Sequence, residues 1–351
     1  MIESILIGGI EIGENRPVVT IAEAAVEHLG SIEVAKRMVD AAKDAGADFI
    51  KFQLHLADSE MLPGSIKFWG GSMDEVLKRY NLSVNEHREL IGYCKTQGIQ
   101  YLCTPFCAAA ADILDDLGVP AFKIGSGEMT NIPMLRHIAK KKKPMIVSTG
   151  MATLKELEET VVALKAEETA LILTNCTSIY PPKYHQINLG LIPKLKEKFD
   201  LLVGHSDHTP DIWTALGAVA MGAVVIEKHF TIDRRMKGPD YEVSLEPDEF
   251  KTMVEAIKKI EAAMGSEMGV YPEEEIVRNW AHHSVVSLKR IPSGAKITAD
   301  MVGVKRPGNG IPAKELNSIV GCVAKNTITE DALIKWEDVK RSATNEFGDQ
   351  K

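Results

Sequence analysis

Apolar and polar positions follow a repeating order along residues 18–231. Eight short apolar runs carry it: VVTIAEAA (18–25), FIKFQL (49–54), QYLCTPF (100–106), AFKIGSG (121–127), PMIVSTG (144–150), LILTNCTS (171–178), LLVGHSDHT (201–209) and VVIEKHFT (224–231). Each is rich in Val, Ile, Leu or Phe and ends in polar residues or glycine. Runs of this length without a sustained polar face read as parallel strands buried on both sides. Between them, apolar residues recur three and four apart. Ile32, Ala35, Met38, Val39 and Ala42 lead to Gly46; Leu90, Ile91 and Cys94 lead to Gly98; Leu154, Leu157, Val161 and Leu164 follow the N-cap candidate Thr153. Hydroxyl or acidic starts and glycine stops are what helix ends require, because they satisfy the unpaired terminal N–H and C=O groups. Eight strand–helix units in about 250 residues predict an α/β chain folded as a (β/α)8 TIM barrel. A doubly wound sheet, the competing architecture, seldom needs eight units this regular.

Several segments lie outside the repeat. ILIGGIEI flanks Gly8-Gly9 and predicts a β-hairpin capping the barrel floor. Residues 55–82 are long for a strand-to-helix loop, contain Trp69-Gly70-Gly71, and read as a lid over the active face. A last barrel helix is expected from Pro247 to Met264, so that residues 1–265 form the barrel. The polar stretch at 266–281 reads as a linker. Short β-like runs broken by Pro and Gly then predict a small β-rich domain at 282–342, and residues 343–351 a frayed tail.

Composition narrows the function. A chain that is 45% hydrophobic and 26% charged is ordinary for a globular protein, and its net charge of −8 argues against nucleic acid as a partner. The charge is uneven: from His282 onward 11 basic residues face 8 acidic ones, against 30 and 41 before it, which suits a basic tail docking on an acidic body. No apolar run is long enough to span a bilayer, and the first 17 residues lack the pattern of a signal peptide. Five cysteines at scattered spacings give no disulfide framework or zinc site, so a reduced, cytoplasmic setting is expected, with no membrane partner.

In such a barrel the chemistry sits at the C-terminal ends of the strands, and the unusual polar residues fall there. Glu23 closes the first strand, Lys51 and Gln53 sit on alternate positions of the second, and Thr104 closes the third. Lys123, Ser126 and Glu128 follow on the fourth, Ser148 on the fifth, and Ser178 and Tyr180 after the sixth. A lysine inside a barrel strand is costly unless an anion meets it. A salt bridge to a neighbouring strand explains one such lysine. Two lysines, Lys51 and Lys123, with Ser126, Ser148 and Ser206 at one rim point to a pocket for a small phosphorylated anion. His208 and His229 close the adjacent seventh and eighth strands beside Glu23, Asp207 and Glu128, and are candidate ligands of one catalytic divalent metal. His282-His283 reads as a domain junction.

The stretches KFQ (51–53), CTPF (103–106), FKIGSGE (122–128), STGM (148–151), CTSIYP (176–181), SDHT (206–209), EKHFT (227–231), KGPD (237–240) and VKRPGNGI (304–311) resemble, in order, those of the sialic acid synthases, which include the N-acetylneuraminate, legionaminate and pseudaminate synthases. The tail resembles that family's antifreeze-like (SAF) domain. The resemblance implies condensation of phosphoenolpyruvate (PEP) with an open-chain N-acetylated hexosamine, N-acetylmannosamine or a 6-deoxy diacetamido relative, to give a nine-carbon sugar acid and phosphate. By the same resemblance His208 and His229 hold manganese or magnesium. Lys51, Thr104, Lys123, Ser126, Ser148 and Ser206 hold PEP; Gln53, Glu128, Ser178, Tyr180 and Asp240 face the sugar; Glu23 is needed for catalysis. Arg306 reaches the neighbouring subunit's site, which implies a domain-swapped homodimer. The chain departs from the family at Glu27, where asparagine is usual before His28, at Ser178, often asparagine, and at Asn175, often histidine. A metal-dependent hydrolase on the same barrel, a non-catalytic sugar-binding protein and a condensing enzyme for an aldose phosphate are the rival readings.

Overall fold

The computed structural model describes residues 4–68 and 71–341. Trp69 and Gly70, within the expected lid, and the tail 343–351 lie outside the described residues. Two compact units divide at Gly265/Ser266.

The first unit is the expected barrel. Its strands are β1 (Val19–Ala25), β2 (Phe49–Leu54), β3 (Gln100–Pro105), β4 (Phe122–Ile124), β5 (Met145–Ser148), β6 (Leu171–Cys176), β7 (Leu202–Asp207) and β8 (Val225–His229). They form one parallel sheet in the order β3-β2-β1-β8-β7-β6-β5-β4. β3 and β4, at its two ends, lie side by side and close the barrel. One barrel helix packs after each strand, with shorter helices added in the loop after β2: α1 (Ile32–Asp44), α2 (Val84–Gln97), α3 (Ala108–Asp116), α4 (Ile132–Ala139), α5 (Leu154–Lys165), α6 (Leu191–Phe199), α7 (Trp213–Ala220) and α8 (Pro247–Ala263). Their ends carry the expected chemistry. Thr153 caps α5 by accepting from the Glu156 N–H, and Gly98 ends α2 with φ 69°, where a side chain would be strained.

Alternate strand residues point into the barrel, and they are layered. The lower interior layer is apolar: Ile21, Phe49, Leu102, Ala121, Ile146, Ile172, Leu202 and Val225 pack in one buried cluster. Ile5, Ile7 and Ile12 of the N-terminal hairpin (Ser4–Ile7 with Ile10–Gly13) belong to that cluster, so the hairpin plugs the floor. Its turn residues Gly8 and Gly9 have φ of 58° and 86°, the geometry a two-residue hairpin turn demands. With the lower end sealed, two residues further along seven of the eight strands the interior turns polar (on β7 the next inward residue is Gly204 and Ser206 follows), and the layer change sets the depth of the site.

The described residues of 55–82 include two short helices, Ala57–Glu60 and Met73–Tyr80, and Lys67–Phe68 pairs Gly71–Ser72. In the second unit the expected linker holds structure of its own, a 3-10 turn at Pro272–Glu274 and a helix at Glu275–Ala281. Beyond it, Ser284–Ser287 pairs Val302–Lys305 and Val323–Ala324 pairs Val339–Lys340, both antiparallel, around Val285, Ile291, Ile297, Ile311, Ile319 and Ile334.

Candidate active site

A cavity of ≈ 760 Å³ opens at the C-terminal ends of the strands. Fourteen of the fifteen candidate residues line it: Glu23, Lys51, Gln53, Thr104, Lys123, Ser126, Glu128, Ser148, Ser178, Tyr180, Ser206, His208, His229 and Asp240. The fifteenth, Arg306, belongs to the second unit. There its Nε donates to the Ala281 carbonyl (3.0 Å) and its guanidinium lies over the Trp280 ring, 5.5 Å from the centroid.

The cavity floor is an ion cluster. Lys51 Nζ lies 2.9 Å from Glu23 Oε2 and 3.3 Å from Glu227 Oε2; Lys123 Nζ lies 3.5 Å from Glu227 Oε1 and donates to Ser148 Oγ at 2.5 Å. All four charged side chains are almost wholly buried. Both lysines are thus paired with carboxylates from other strands, while hydroxyls of Thr104, Ser148 and Ser206 stand beside them. Burial pushes the Glu23 carboxyl up; Lys51 offsets part of this, and nearby Glu227 adds to it. Burial opposes the charge of Glu227 too, but Lys123 and Lys51 outweigh it and hold Glu227 ionised, below the usual carboxylate range. Burial lowers Lys123, whereas Glu227 and Glu23 more than offset the same penalty for Lys51. Glu227 alone faces both ammonium groups, at 3.3 Å from Lys51 and 3.5 Å from Lys123.

Above the cluster, Ser126 and Ser178 converge on Gly150. The Gly150 N–H donates to Ser126 Oγ (3.1 Å), and a Cβ at Gly150 would collide with both hydroxyls. Only glycine lets the two serines meet there. Glu128 folds over Gly125, keeps one carboxyl oxygen buried without a hydrogen-bond partner, and is pushed up to about 7 by burial.

On the opposite wall the His208 and His229 rings lie 5.2 Å apart, centroid to centroid. His208 Nδ1 donates to the Thr177 carbonyl (2.7 Å), which leaves the Nε2 lone pair free, and His229 Nδ1 is buried without a hydrogen-bond partner. Burial lowers both, His208 to about 4, so both rings are neutral at pH 7, the form that binds metals. The donor chemistry fits a divalent cation, although no group of three His, Cys, Asp or Glu is arranged to hold one among the described residues. Tyr180 stacks on His208 at 4.0 Å, and Asp240 Oδ2 lies 3.7 Å from His229 Nδ1.

Residues 38–269 match the NeuB family model, and residues 282–340 match the SAF domain. The chain belongs to the NeuB family. It is 40% identical to the N,N'-diacetyllegionaminic acid synthase of Campylobacter jejuni, over 90% of this chain and 98% of that protein. It is 33% identical to the N-acetylneuraminate-9-phosphate synthase of Homo sapiens, over 93% and 94%. The crystal structure of N-acetylneuraminic acid (sialic acid) synthetase from Leptospira borgpetersenii, in complex with citrate, superposes with a TM-score of 0.72 at 34% identity, covering 78% of this chain and 94% of that one. This NeuB-family chain is therefore an enzyme of the sugar-acid synthase kind, built as a barrel with a SAF domain. No helix among the described residues is long and apolar enough to cross a membrane.

One expected neighbour of the NeuB-family site is displaced. Asp207 does not face the two histidines: Ser206 and His208 point inward, so Asp207 between them points out. There it binds Lys228 (2.8 Å) and Thr214 (2.7 Å); burial raises its carboxyl, but the neighbouring His205 and then the Lys228 charge outweigh this and hold it well below the usual carboxylate range. Three residues that sequence reasoning left out of the site belong to it. Glu227, inward-facing on β8, is the counter-charge to both lysines. His55 joins Glu60 and Gln53: Nδ1 lies 2.9 Å from Glu60 Oε1 and Nε2 3.0 Å from Gln53 Oε1, and Gln53 Nε2 donates to Glu23 (2.9 Å). The ring also stacks on Phe106 at 4.1 Å. Glu27 is the third. A period-2 count back from His229 would have found Glu227; Glu27 acts through a loop whose course no periodicity specifies, and the helix that brings Glu60 to His55 is equally unmarked.

Proposed function

We propose that this protein condenses PEP with an open-chain N-acetylated hexosamine, forming a nine-carbon sialic-acid-type sugar acid and phosphate. The observation that carries the reading is the convergence, in one cavity, of two buried lysines and several hydroxyls on one side and two neutral imidazoles on the other. An enol phosphate and an aldehyde can then sit side by side, which converts a bimolecular encounter into a positioned one. Lys51 and Lys123, with Thr104, Ser126, Ser148 and Ser206, bind PEP and offset its charge. His208 and His229 would hold manganese or magnesium. Such a cation supplies Lewis acidity toward the sugar's aldehyde oxygen. Gln53, Ser178, Tyr180 and Asp240 orient the sugar.

In the reaction, C3 of PEP forms a bond to the aldehyde carbon, and positive charge develops at C2. Glu23 and Glu128 face that charge from within the cavity and stabilise it when ionised. Water adds at C2 and gives up one proton to a carboxylate whose basicity burial has raised, and that proton passes to the alkoxide left on the aldehyde oxygen, making it a hydroxyl. The C2–O bond to phosphate then breaks as the C2 hydroxyl becomes a ketone, and its proton leaves with the phosphate, which keeps the bridging oxygen. Arg306 is supplied to the sugar by the partner subunit of a domain-swapped homodimer.

Among such acceptors, N-acetylmannosamine and a 6-deoxy diacetamido hexose, one feature supports the second. The lid side of the cavity is built from Met61, Ile66, Met73, Val76 and Leu77, an apolar wall that suits a methyl better than a hydroxymethyl group. A relative that makes diacetyllegionaminic acid agrees with this choice. The test is to incubate purified protein with PEP, Mn²⁺ and each candidate sugar, following phosphate release and product mass. Release that needs an acetamido sugar, with the mass of the condensed acid, is expected. Phosphate release without a sugar would favour a hydrolase.

A further inference from the structure

Glu27 stands four residues beyond Glu23, past a bulge in β1 at which Ala25 takes φ 44°. Such a bulge re-aims the chain that follows it, and here it carries Glu27 inward. The side chain is buried, 1% exposed. Oε1 accepts the Asp240 N–H at 2.7 Å, across 213 residues of sequence, and Oε2 is buried with no hydrogen-bond partner. Gly238 lies flat against the carboxyl, and a Cβ there would occupy the space of both its oxygens. The turn at 238–240 is therefore moulded around this one acidic group.

That turn delivers Asp240 to the cavity wall beside His229. Its carbonyl is held by the Ser244 hydroxyl (2.9 Å) and the Val243 N–H (3.1 Å), whereas its N–H is held by Glu27. Removing the acceptor frees the half of the turn nearest the cavity and leaves a buried N–H unpaired, a loss of about 1–3 kcal/mol in general.

We propose that Glu27 is a positioning residue for the acceptor sugar: it clamps the Gly238–Asp240 turn so that the Asp240 carboxyl meets the sugar beside the two histidines. The role rests on the condensation reading above and deepens it. Glu27 touches neither substrate; it acts through Asp240.

Glu27→Ala and Glu27→Gln separate this role from simple packing, with full-length protein used for kinetics and hydrogen exchange. In Glu27→Ala the KM for the acceptor should rise about tenfold and the Asp240 amide should exchange about tenfold faster, the equivalent of one lost hydrogen bond. The KM for PEP and the exchange of the barrel strands should stay near wild type. Glu27→Gln, whose amide oxygen still accepts from the Asp240 N–H, should restore both values. Equal rises in both KM values, an unchanged Asp240 amide, or Gln behaving like Ala would overturn the proposal. Wild-type protein that releases no phosphate with any acceptor would instead overturn the condensation reading, and the positioning role with it.

Discussion

Glu227 and Lys51 form an ion pair of 3.3 Å across the barrel interior, from strands β8 and β2 that are separated by β1. Such a pair is reached only because both side chains leave their strands at the same height, one layer above the apolar floor. Glu227 also faces Lys123, so one carboxylate answers two ammonium groups. Glu227→Gln keeps an acceptor for Ser206 but removes that charge. The variant should lose about 3 kcal/mol of stability, the usual result of stripping one partner from a buried pair. Added PEP should return more of that loss than it adds to wild type, because the substrate's phosphate replaces the missing anion. Denaturant melts with and without PEP check this; equal stabilisation of both proteins would separate the lysines from phosphate binding.

Lys228 neighbours Glu227 in sequence, yet points out of the barrel to Asp207. Both side chains are fully buried. Lys228→Met should therefore also cost about 3 kcal/mol, here through a stranded Asp207, and PEP should return no more than it gives the wild type. Near-normal KM values in the folded variant are the expected readout; a large PEP-specific defect would show that this pair reaches into the cavity.

These two lysines mark how far the site is legible in the sequence. Strand alternation was enough to bring Lys51, Lys123, Ser148, Ser206, His208 and His229 to one mouth, because each lies in or at the end of a well-formed strand. The same alternation, followed one residue further, puts Asp207 outside and Glu227 inside. SDH and EKH are dense polar clusters in which one residue of every two belongs to the other face. Glu27, His55 and Asp240 are of another kind. Their partners are 213, 5 and 213 residues away, and the contacts depend on loop paths set by Ala25, Gly238 and the helix at 57–60. No local pattern encodes those paths.

Glu128 should show a trade of stability for function. Burial raises its folded-state pKa to about 7 from the usual 4.5 of a free glutamate, so the native state binds more protons than the unfolded chain between those values. Its ionisation therefore costs stability as pH rises, by an amount that is nil below about 4.5 and complete above about 7. Glu128→Gln removes that cost. The variant should be more stable than wild type by about 3 kcal/mol at pH 8 and indistinguishable at pH 4, while turnover falls. Unfolding curves at the two pH values decide it; an advantage that is the same at both would mean the carboxyl is not paying for its charge.

The two histidines can be tested without turnover. A ligand that binds the native protein alone raises its unfolding midpoint, and at a hundredfold excess over Kd the gain is about 2.7 kcal/mol, or about 5 °C for a domain of this size. Mn²⁺ should raise the midpoint of wild-type protein by that order. The rise should vanish in His229→Ala and in His208→Ala, where one nitrogen donor remains. It should persist in Glu27→Ala, whose side chain binds the Asp240 backbone rather than either imidazole. Acidifying from pH 7 to pH 4 should weaken the wild-type effect, since His208, lowered to about 4 by burial, begins to protonate there and a protonated ring has no lone pair to give. A Mn²⁺ shift of full size in either histidine variant would place the cation elsewhere.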